Sequence, residues 1–227
     1  MLAGIPADET VECDALPDPA TPTATDNCDT DVEITFEEVR TDGACPDEYT
    51  LTRTWTATDD CNRQDIQVQV ITVQDTTNPV LAGIPADETV ECDAIPAEAT
   101  PTATDNCDTD VDIAYEEVRT DGACPDEYTL TRTWTATDIC GNQDVQVQVI
   151  TVQDTTPPVL AGVPADETAE CDAVPAEATP TATDNCDTDV DIVFTEVRTD
   201  GACPDEYTLT RTWTATDNCG NLSLIHI

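Results

Sequence analysis

The chain has 227 residues, room for one to three small domains, and carries 49 Asp and Glu against 7 Lys and Arg, a formal net charge of −42. That balance excludes a nucleic-acid binder, which needs clustered cations to meet phosphates, and an anionic membrane surface would repel it. Hydrophobic residues make up 39%, so a core is within reach and wholesale disorder is not expected; no apolar run is long enough to span a bilayer. Twelve cysteines in so acidic a chain point to an oxidising compartment outside the cytosol.

Three tandem copies organise everything else. Cys13, Cys92 and Cys171 stand 79 residues apart. The other cysteines keep the period: Cys28, Cys45 and Cys61 recur as Cys107, Cys124 and Cys140, then as Cys186, Cys203 and Cys219. The blocks ATPTATDNCDTDV and VRTDGACPDEYTLTRTWTATD are verbatim in all three copies. The expected domains are residues 1–79, 80–158 and 159–221. Met1 aligns with Val80 and Val159, so the chain reads as a window on a longer array. Residues 1–221 contain no Ser, His or Lys, and the pattern breaks after Asn221, where LSLIHI replaces the expected QDVQVQVITVQDTT. LSLIHI is what a transposase adapter used in library preparation encodes, so residues 222–227 are read as adapter read-through and kept out of functional argument. Repeat 3 then lacks the equivalent of residues 143–153, and Leu222 and Leu224 are expected to form a surrogate strand beside residues 209–215.

Within repeat 1, short extended pieces are expected around Val11 and over residues 20–25. VEITFEE follows, with Val32, Ile34 and Phe36 facing inward. YTLTRTWTATD then alternates cleanly, with Tyr49, Leu51, Arg53, Trp55 and Ala57 on one face and Thr50, Thr52, Thr54, Thr56 and Thr58 on the other. Ile66, Val68 and Val70 alternate with Gln, after which the parity switches to Ile71 and Val73; this predicts a bulge or an end buried on both faces. Turn signals (DNCDTD, RTDGACPDE, DDCNRQD) separate these pieces. Few segments carry a helical period and Thr, Val and Pro dominate, so the fold class is all-β, a small Greek-key sandwich repeated in tandem. Trp55, Trp134 and Trp213 are expected in the core rather than as sugar-binding platforms.

The TATDNC segment, WTATDxCGN at Trp134–Asn142 and Trp213–Asn221, and DTTxPV at Asp75–Val80 and Asp154–Val159 recur in a fixed order. In that order they resemble the bacterial immunoglobulin-like and hyalin-repeat modules of secreted and cell-surface proteins. Repeat 1 departs from the pattern, with Asn62 and Arg63 where repeat 2 has Gly141 and Asn142; Asn is the next-best residue for a left-handed turn. In an immunoglobulin-like order, the TATDNC and TLTRTWTATD strands end at one pole, which puts Cys28 near Cys61. The strand ending at Cys13 flanks the last strand and meets Cys45 at the other pole. The expected bridges are therefore intra-repeat: Cys13–Cys45 and Cys28–Cys61, Cys92–Cys124 and Cys107–Cys140, Cys171–Cys203 and Cys186–Cys219. Pairing of sequence neighbours, Cys13–Cys28 and Cys45–Cys61, is the alternative. Structural zinc is not expected, for want of a CxxC pair or a His before residue 226.

The acids admit three readings. Paired carboxylates hydrolyse glycosides, but these recur on turns in three near-identical copies, without Ser, His or Lys to complete a nucleophile–base pair, so no enzyme is expected. The plain reading is a solvated acidic surface. The sharper one is Ca²⁺, which takes several carboxylate and carbonyl oxygens. DTDVD at Asp108–Asp112 fails as an EF-hand loop because Ile113 stands at the required Gly position. In the strand order above, the loops after TATDNC and WTATD face the preceding domain. Asp75 in the linker then arrives beside Asp105, Asp108 and Asp138, and Asp154 beside Asp184, Asp187 and Asp217. This is similar to a cadherin junction, where Ca²⁺ stiffens a rod of modules; the alternative is that Asp105 and Asp138 only hydrogen-bond their own turns. No cofactor other than Ca²⁺ is expected. The Asp-Thr-Thr sequences of the linkers also resemble an O-glycosylation motif of some secreted Bacteroidota-like proteins, and the Thr rows are read as ordinary exposed strand residues rather than an ice-binding face.

The expected function is an extracellular or cell-surface stalk of a bacterial adhesin-like protein, spacing a distal head. Its partners are then neighbouring repeats of the same chain and, through that head, surface glycans or proteins, with no nucleic acid and no membrane insertion. The alternative is an array of glycan- or protein-binding modules, which an exposed aromatic patch would favour.

Overall fold

A computed structural model describes residues 1–227, and its only helical element is a single 3-10 turn at Cys13–Ala15. Repeat 1 contains β1 (Leu2–Ala3), β2 (Glu9–Glu12), β3 (Thr23–Ala24), β4 (Glu33–Asp42), β5 (Tyr49–Thr58) and β6 (Gln64–Gln74). A four-stranded sheet runs in the order β2-β6-β5-β4, and β1 pairs with β3 in a second, two-stranded layer. The β4–β5 and β5–β6 pairs are antiparallel, and β2 joins the end of β6 in parallel, Glu9 opposite Ile71 and Glu12 opposite Gln74. Repeat 2 follows the same plan with β7 (Val80–Ala82), β8 (Glu88–Glu91), β9 (Thr102–Thr104), β10 (Asp112–Asp121), β11 (Tyr128–Thr137) and β12 (Gln143–Gln153). Repeat 3 has β13 (Val159–Ala161), β14 (Thr181–Thr183), β15 (Asp191–Asp200), β16 (Tyr207–Thr216) and β17 (Leu222–His226).

The strand pattern follows from the side chains. The β-branched run of β5 places Leu51, Arg53, Trp55 and Ala57 inward, all buried, and its threonines outward. The three tryptophans are core residues, each packed against an aromatic of the neighbouring strand: Phe36 on Trp55, Tyr115 on Trp134, Phe194 on Trp213. Tyr49 lies under the Arg40 guanidinium.

The register corrects one expectation. No parity switch or bulge interrupts β6; Tyr49 pairs with Val73 and the ladder runs unbroken to Thr58 and Gln64. Ile66 and Val68 therefore face out, 55% and 49% exposed, while Gln67 and Gln69 face in beside Trp55 and Arg53. Gln69 is 1% exposed and donates to the Ala7 carbonyl and to Glu9. Gln67 donates to the Leu2 carbonyl, Arg53 to Pro17 and to Glu38, and Trp55 to Ala20. The layer covering this sheet is mostly irregular chain without a ladder of its own, so its carbonyls need side-chain donors, and a buried acceptor left unmet costs about 1–3 kcal/mol. Polar residues win the inner face for that reason.

Repeat 3 differs at its end. The tail β17 pairs with β16 from Leu222–Thr216 to His226–Thr212. It stops short of the positions that, as Ile71–Gln74 in repeat 1 and Ile150–Gln153 in repeat 2, hold the parallel strand. No counterpart of β2 or β8 forms, and Leu209 is only half-buried where Leu51 and Leu130 are buried.

Packing resolves the chain into two compact units. One comprises Met1–Ile84, Thr100–Tyr115 and Thr133–Gln146; the other comprises Pro85–Ala99, Glu116–Arg132 and Val147–Ile227. The first holds repeat 1, its linker and the loops of repeat 2 that meet it. The second holds the corresponding junction of repeats 2 and 3.

Candidate functional site at the repeat junctions

Each repeat has two poles. At the far pole of repeat 1 lie the end of β2 with Cys13, the end of β6, and the β4–β5 hairpin with Cys45. At its near pole lie the loop after β3, with Cys28, and the β5–β6 hairpin, with Cys61. The expected placement of cysteines in pairs by pole holds, but the expected pairing does not. The bridges cross the junctions: Cys13–Cys107 and Cys45–Cys140 in the first unit, Cys92–Cys186 and Cys124–Cys219 in the second. Their Cα–Cα distances are 5.8, 5.2, 5.8 and 5.2 Å, within the ordinary range for a disulfide. Cys28, Cys61, Cys171 and Cys203 are free and exposed, contrary to the expectation that all twelve cysteines pair within repeats. The physical reason is the linker. It spans only residues 75–79 between β6 and β7, so the far pole of repeat 1 and the near pole of repeat 2 abut, and each cysteine meets its partner across the gap.

Glu12 closes the start of the linker, accepting from Gln74, from the Thr76 amide and from the Thr76 hydroxyl, and these bonds hold its carboxyl below the usual range. Pro79 is fully buried. Asp75, directly after β6, is 3% exposed. Its Oδ1 accepts from the Thr77 amide at 3.3 Å, and its Oδ2 has no partner. A carboxylate oxygen of Asp75 lies within 4.8 Å of one from Asp105, and likewise of one from Asp47, with the Cys107 and Cys140 sulfurs at the same range. Those sulfurs belong to disulfides and cannot act as thiolate ligands. Asp105 uses Oδ1 for the amides of Cys107 and Asp108 and leaves a buried Oδ2 unpaired. Burial, then the negative charges of Asp105, Asp138 and Asp47, push the Asp75 carboxyl above the usual range, against the pull of the Thr77 amide.

The other expected ligands have local work. Asp108 spends Oδ1 on the Asp110 amide and Oδ2 on the Ile139 amide, so it ties the two near-pole loops together instead of reaching the linker. Asp138 accepts from the amides of Cys140 and Asn142 and from the Asn142 side chain. Asn142 Nδ2 also donates to the Asp75 carbonyl, which fixes the linker against the hairpin. The second junction repeats this plan. Asp154, 3% exposed, meets Asp184 and Asp126; Asp187 ties the loops through Asp189 and Asn218; Asn221 donates to the Asp154 carbonyl. The second oxygens of Asp154, Asp184 and Asp217 are buried and unpaired, and burial followed by neighbouring carboxylates pushes the Asp154 carboxyl up.

Asp47 and Asp126 were not anticipated. Each sits two residues after a hairpin cysteine that bridges the junction, and Asn218 Nδ2 also donates to Asp126 Oδ2 at 2.7 Å across the second one. No cation of the chain is left for these acids: all seven arginines are paired with other carboxylates.

Tandem all-β modules, each sewn to the next by two disulfides that bracket a buried acidic linker, define a cysteine-stapled repeat protein. The chain belongs to the family of HYR-like domains with 4 cysteines, whose model matches residues 2–73, 80–152 and 160–224. No curated protein matches it in sequence. Among solved structures it is similar to Protocadherin Gamma B7 extracellular cadherin domains 1–4, at 13% identity and TM-score 0.35 over 98% of this chain and 74% of that one. Drosophila N-cadherin EC1–4 is similar at 14% identity and TM-score 0.33, over 99% of this chain and 73% of that one. No helix is long and apolar enough to cross a membrane.

Proposed function

We propose that this chain is a non-catalytic spacer of a secreted or surface-attached bacterial protein, in which each junction is locked by two disulfides and a Ca²⁺ ion. The observation that carries the reading is the buried set of carboxylates between the two bridges. Asp75 and Asp105 each present an unpaired buried oxygen, Asp47 joins them, and no arginine answers them. Oxygens sharing one Ca²⁺ at its usual 2.3–2.6 Å lie up to about 5 Å apart, and Asp75 meets that spacing separately with Asp105 and with Asp47, as Asp154 does with Asp184 and with Asp126. Asp47, Asp75 and Asp105 would hold the ion at the first junction, and Asp126, Asp154 and Asp184 at the second. Bound Ca²⁺ would neutralise the like charges and hold the linker between the poles. Near-identical repeats fit a spacer, where length matters more than any individual binding surface, and four inter-repeat disulfides fit an oxidising, extracellular setting.

Calorimetry on the EDTA-treated full chain tests this. Two Ca²⁺ ions are expected to bind, with affinity of about 10⁻⁴–10⁻³ M as in extracellular modules and in preference to Mg²⁺. The heat should vanish in Asp75→Asn/Asp154→Asn. No heat and no change in melting temperature would reduce the acids to a charge penalty without a ligand.

A further inference from the structure

Repeat 2 is bridged on both sides, and its four cysteines divide by destination. Cys107 and Cys140 bond to repeat 1, Cys92 and Cys124 to repeat 3. The sequence keeps each incoming bridge close to an outgoing one: Cys107 lies 15 residues from Cys92, and Cys140 lies 16 from Cys124. Two short covalent lines therefore cross the repeat. One runs through Cys45–Cys140, back along β11, and out through Cys124–Cys219; β11 is an extended strand paired with β10 on one side and β12 on the other. The other runs through Cys13–Cys107, along β9 and the irregular chain before it, and out through Cys92–Cys186. That chain carries Pro96 and Pro101, which fix φ and favour extended backbone in the residues before them. Arg132, in the middle of β11 and 5% exposed, donates to the carbonyls of Pro96 at 3.0 Å and Ala97 at 3.2 Å, so it ties the two lines to each other.

We propose that these lines are load-bearing ties, and that tension on the array passes from repeat to repeat through the disulfides and two short segments instead of along the full thread of the chain. In an array without bridges, length under load is decided by how fast repeats unfold. Each repeat that opened would release its 79 residues, about 280 Å when extended. A bridged repeat can pay out no more than its 15-residue tie, about 50 Å, whether its sheet is intact or melted. The stalk then keeps its reach under tension through covalent connectivity, and two lines in parallel leave one standing when a single bridge is lost. The inference deepens the spacer reading, on which it rests for the direction of load, and it needs no Ca²⁺.

The test is single-molecule stretching of the full chain by its two ends, in EDTA and with free thiols alkylated, to forces at which the repeats unfold. The shortest covalent route switches lines within repeat 2. It runs from Met1 to Cys13, Cys107 to Cys124 and Cys219 to Ile227, about 37 residues, so the oxidised protein should reach only about 140 Å. Reduction should release the whole chain, about 800 Å. Cys45→Ser/Cys140→Ser should still stop at about 140 Å, and Cys13→Ser/Cys107→Ser at about 250 Å, through Cys45–Cys140 and Cys124–Cys219. The variant carrying all four substitutions should reach about 460 Å. Each limit is read after unfolding, so a variant that folds poorly still reports its connectivity. An oxidised limit of about 460 Å in the unsubstituted chain, the value for bridges closed within repeats, would overturn the proposal. Protein with that limit that still binds Ca²⁺ would lose the ties and keep the metal reading; a limit of about 140 Å without Ca²⁺ binding would do the reverse.

Discussion

The near poles of repeats 1 and 2 share the loop sequences TATDNCDTDV and WTATD, yet only the second has a linker carboxylate buried against it. At repeat 1, amide donors hold the Asp26 and Asp59 carboxyls below the usual range, with Arg63 adding to the effect and paired to Asp59 at 2.7 Å. At repeat 2 the same framework receives Asp75, and the incoming carboxyl is pushed above that range. Where Arg63 stands in repeat 1, Asn142 holds the linker carbonyl in repeat 2. Local sequence thus sets the loops, and docking of a neighbour adds a buried carboxylate that no arginine of the chain answers.

The largest way to break the comparison is through sulfur. Cys13→Ser/Cys107→Ser opens a bridge spanning 94 residues, which on chain-entropy grounds costs about 4–5 kcal/mol in denaturant unfolding. Cys28→Ser, at the unpaired pole, should leave stability unchanged. Equal effects of the two would show that the poles are not distinguished by docking.

Next comes charge. Without Ca²⁺, Asp75→Asn removes a buried like charge and supplies an amide donor to its neighbours, so it should stabilise by about 1–3 kcal/mol in thermal or denaturant unfolding. Asp26→Asn should destabilise, because its carboxylate accepts two amides. With saturating Ca²⁺ the sign at Asp75 should reverse.

A smaller effect is expected with pH. Asp75 and Asp154 have folded pKa values raised above the ordinary 3.8, so the folded state takes up their protons first and gains stability as pH falls through that raised range. Glu12, Glu91, Asp26 and Asp59 are depressed, so the stability they contribute above their ordinary values of 4.5 and 3.8 is lost as pH falls through their lowered ones. Metal-free protein should therefore gain stability on mild acidification and lose it on stronger acidification. Asp75→Asn/Asp154→Asn should abolish the gain and keep the loss, measured as denaturant midpoint against pH. The smallest change is Asn142→Ala, about 1 kcal/mol for its side-chain bonds to Asp138 and the linker.

Much of a single repeat was legible in the sequence. The Thr alternation of β5 predicts its two faces, the tryptophans read as core, and the assignment of cysteines to poles follows from strand order. The inward Gln67 and Gln69 were hidden because their burial answers carbonyls of an irregular layer that no periodicity reveals. The disulfide partners were hidden by the repeat itself. Each cysteine has equivalents 79 residues away, and choosing among copies requires knowing that a short linker presses unlike poles together. Asp75 and Asp105 were legible as neighbours through the linker, whereas Asp47 depended on the pairing, and Asp108 reads as a ligand until its two oxygens are seen bound to amides.

Peptide mapping of the non-reduced protein, with free thiols alkylated before digestion, tests the central claim most directly. The account predicts Cys13–Cys107, Cys45–Cys140, Cys92–Cys186 and Cys124–Cys219, with alkylated Cys28, Cys61, Cys171 and Cys203. Recovery of Cys13–Cys45 or Cys107–Cys140 would contradict it, because each repeat would then be closed on itself and the junctions would be held by the linker alone.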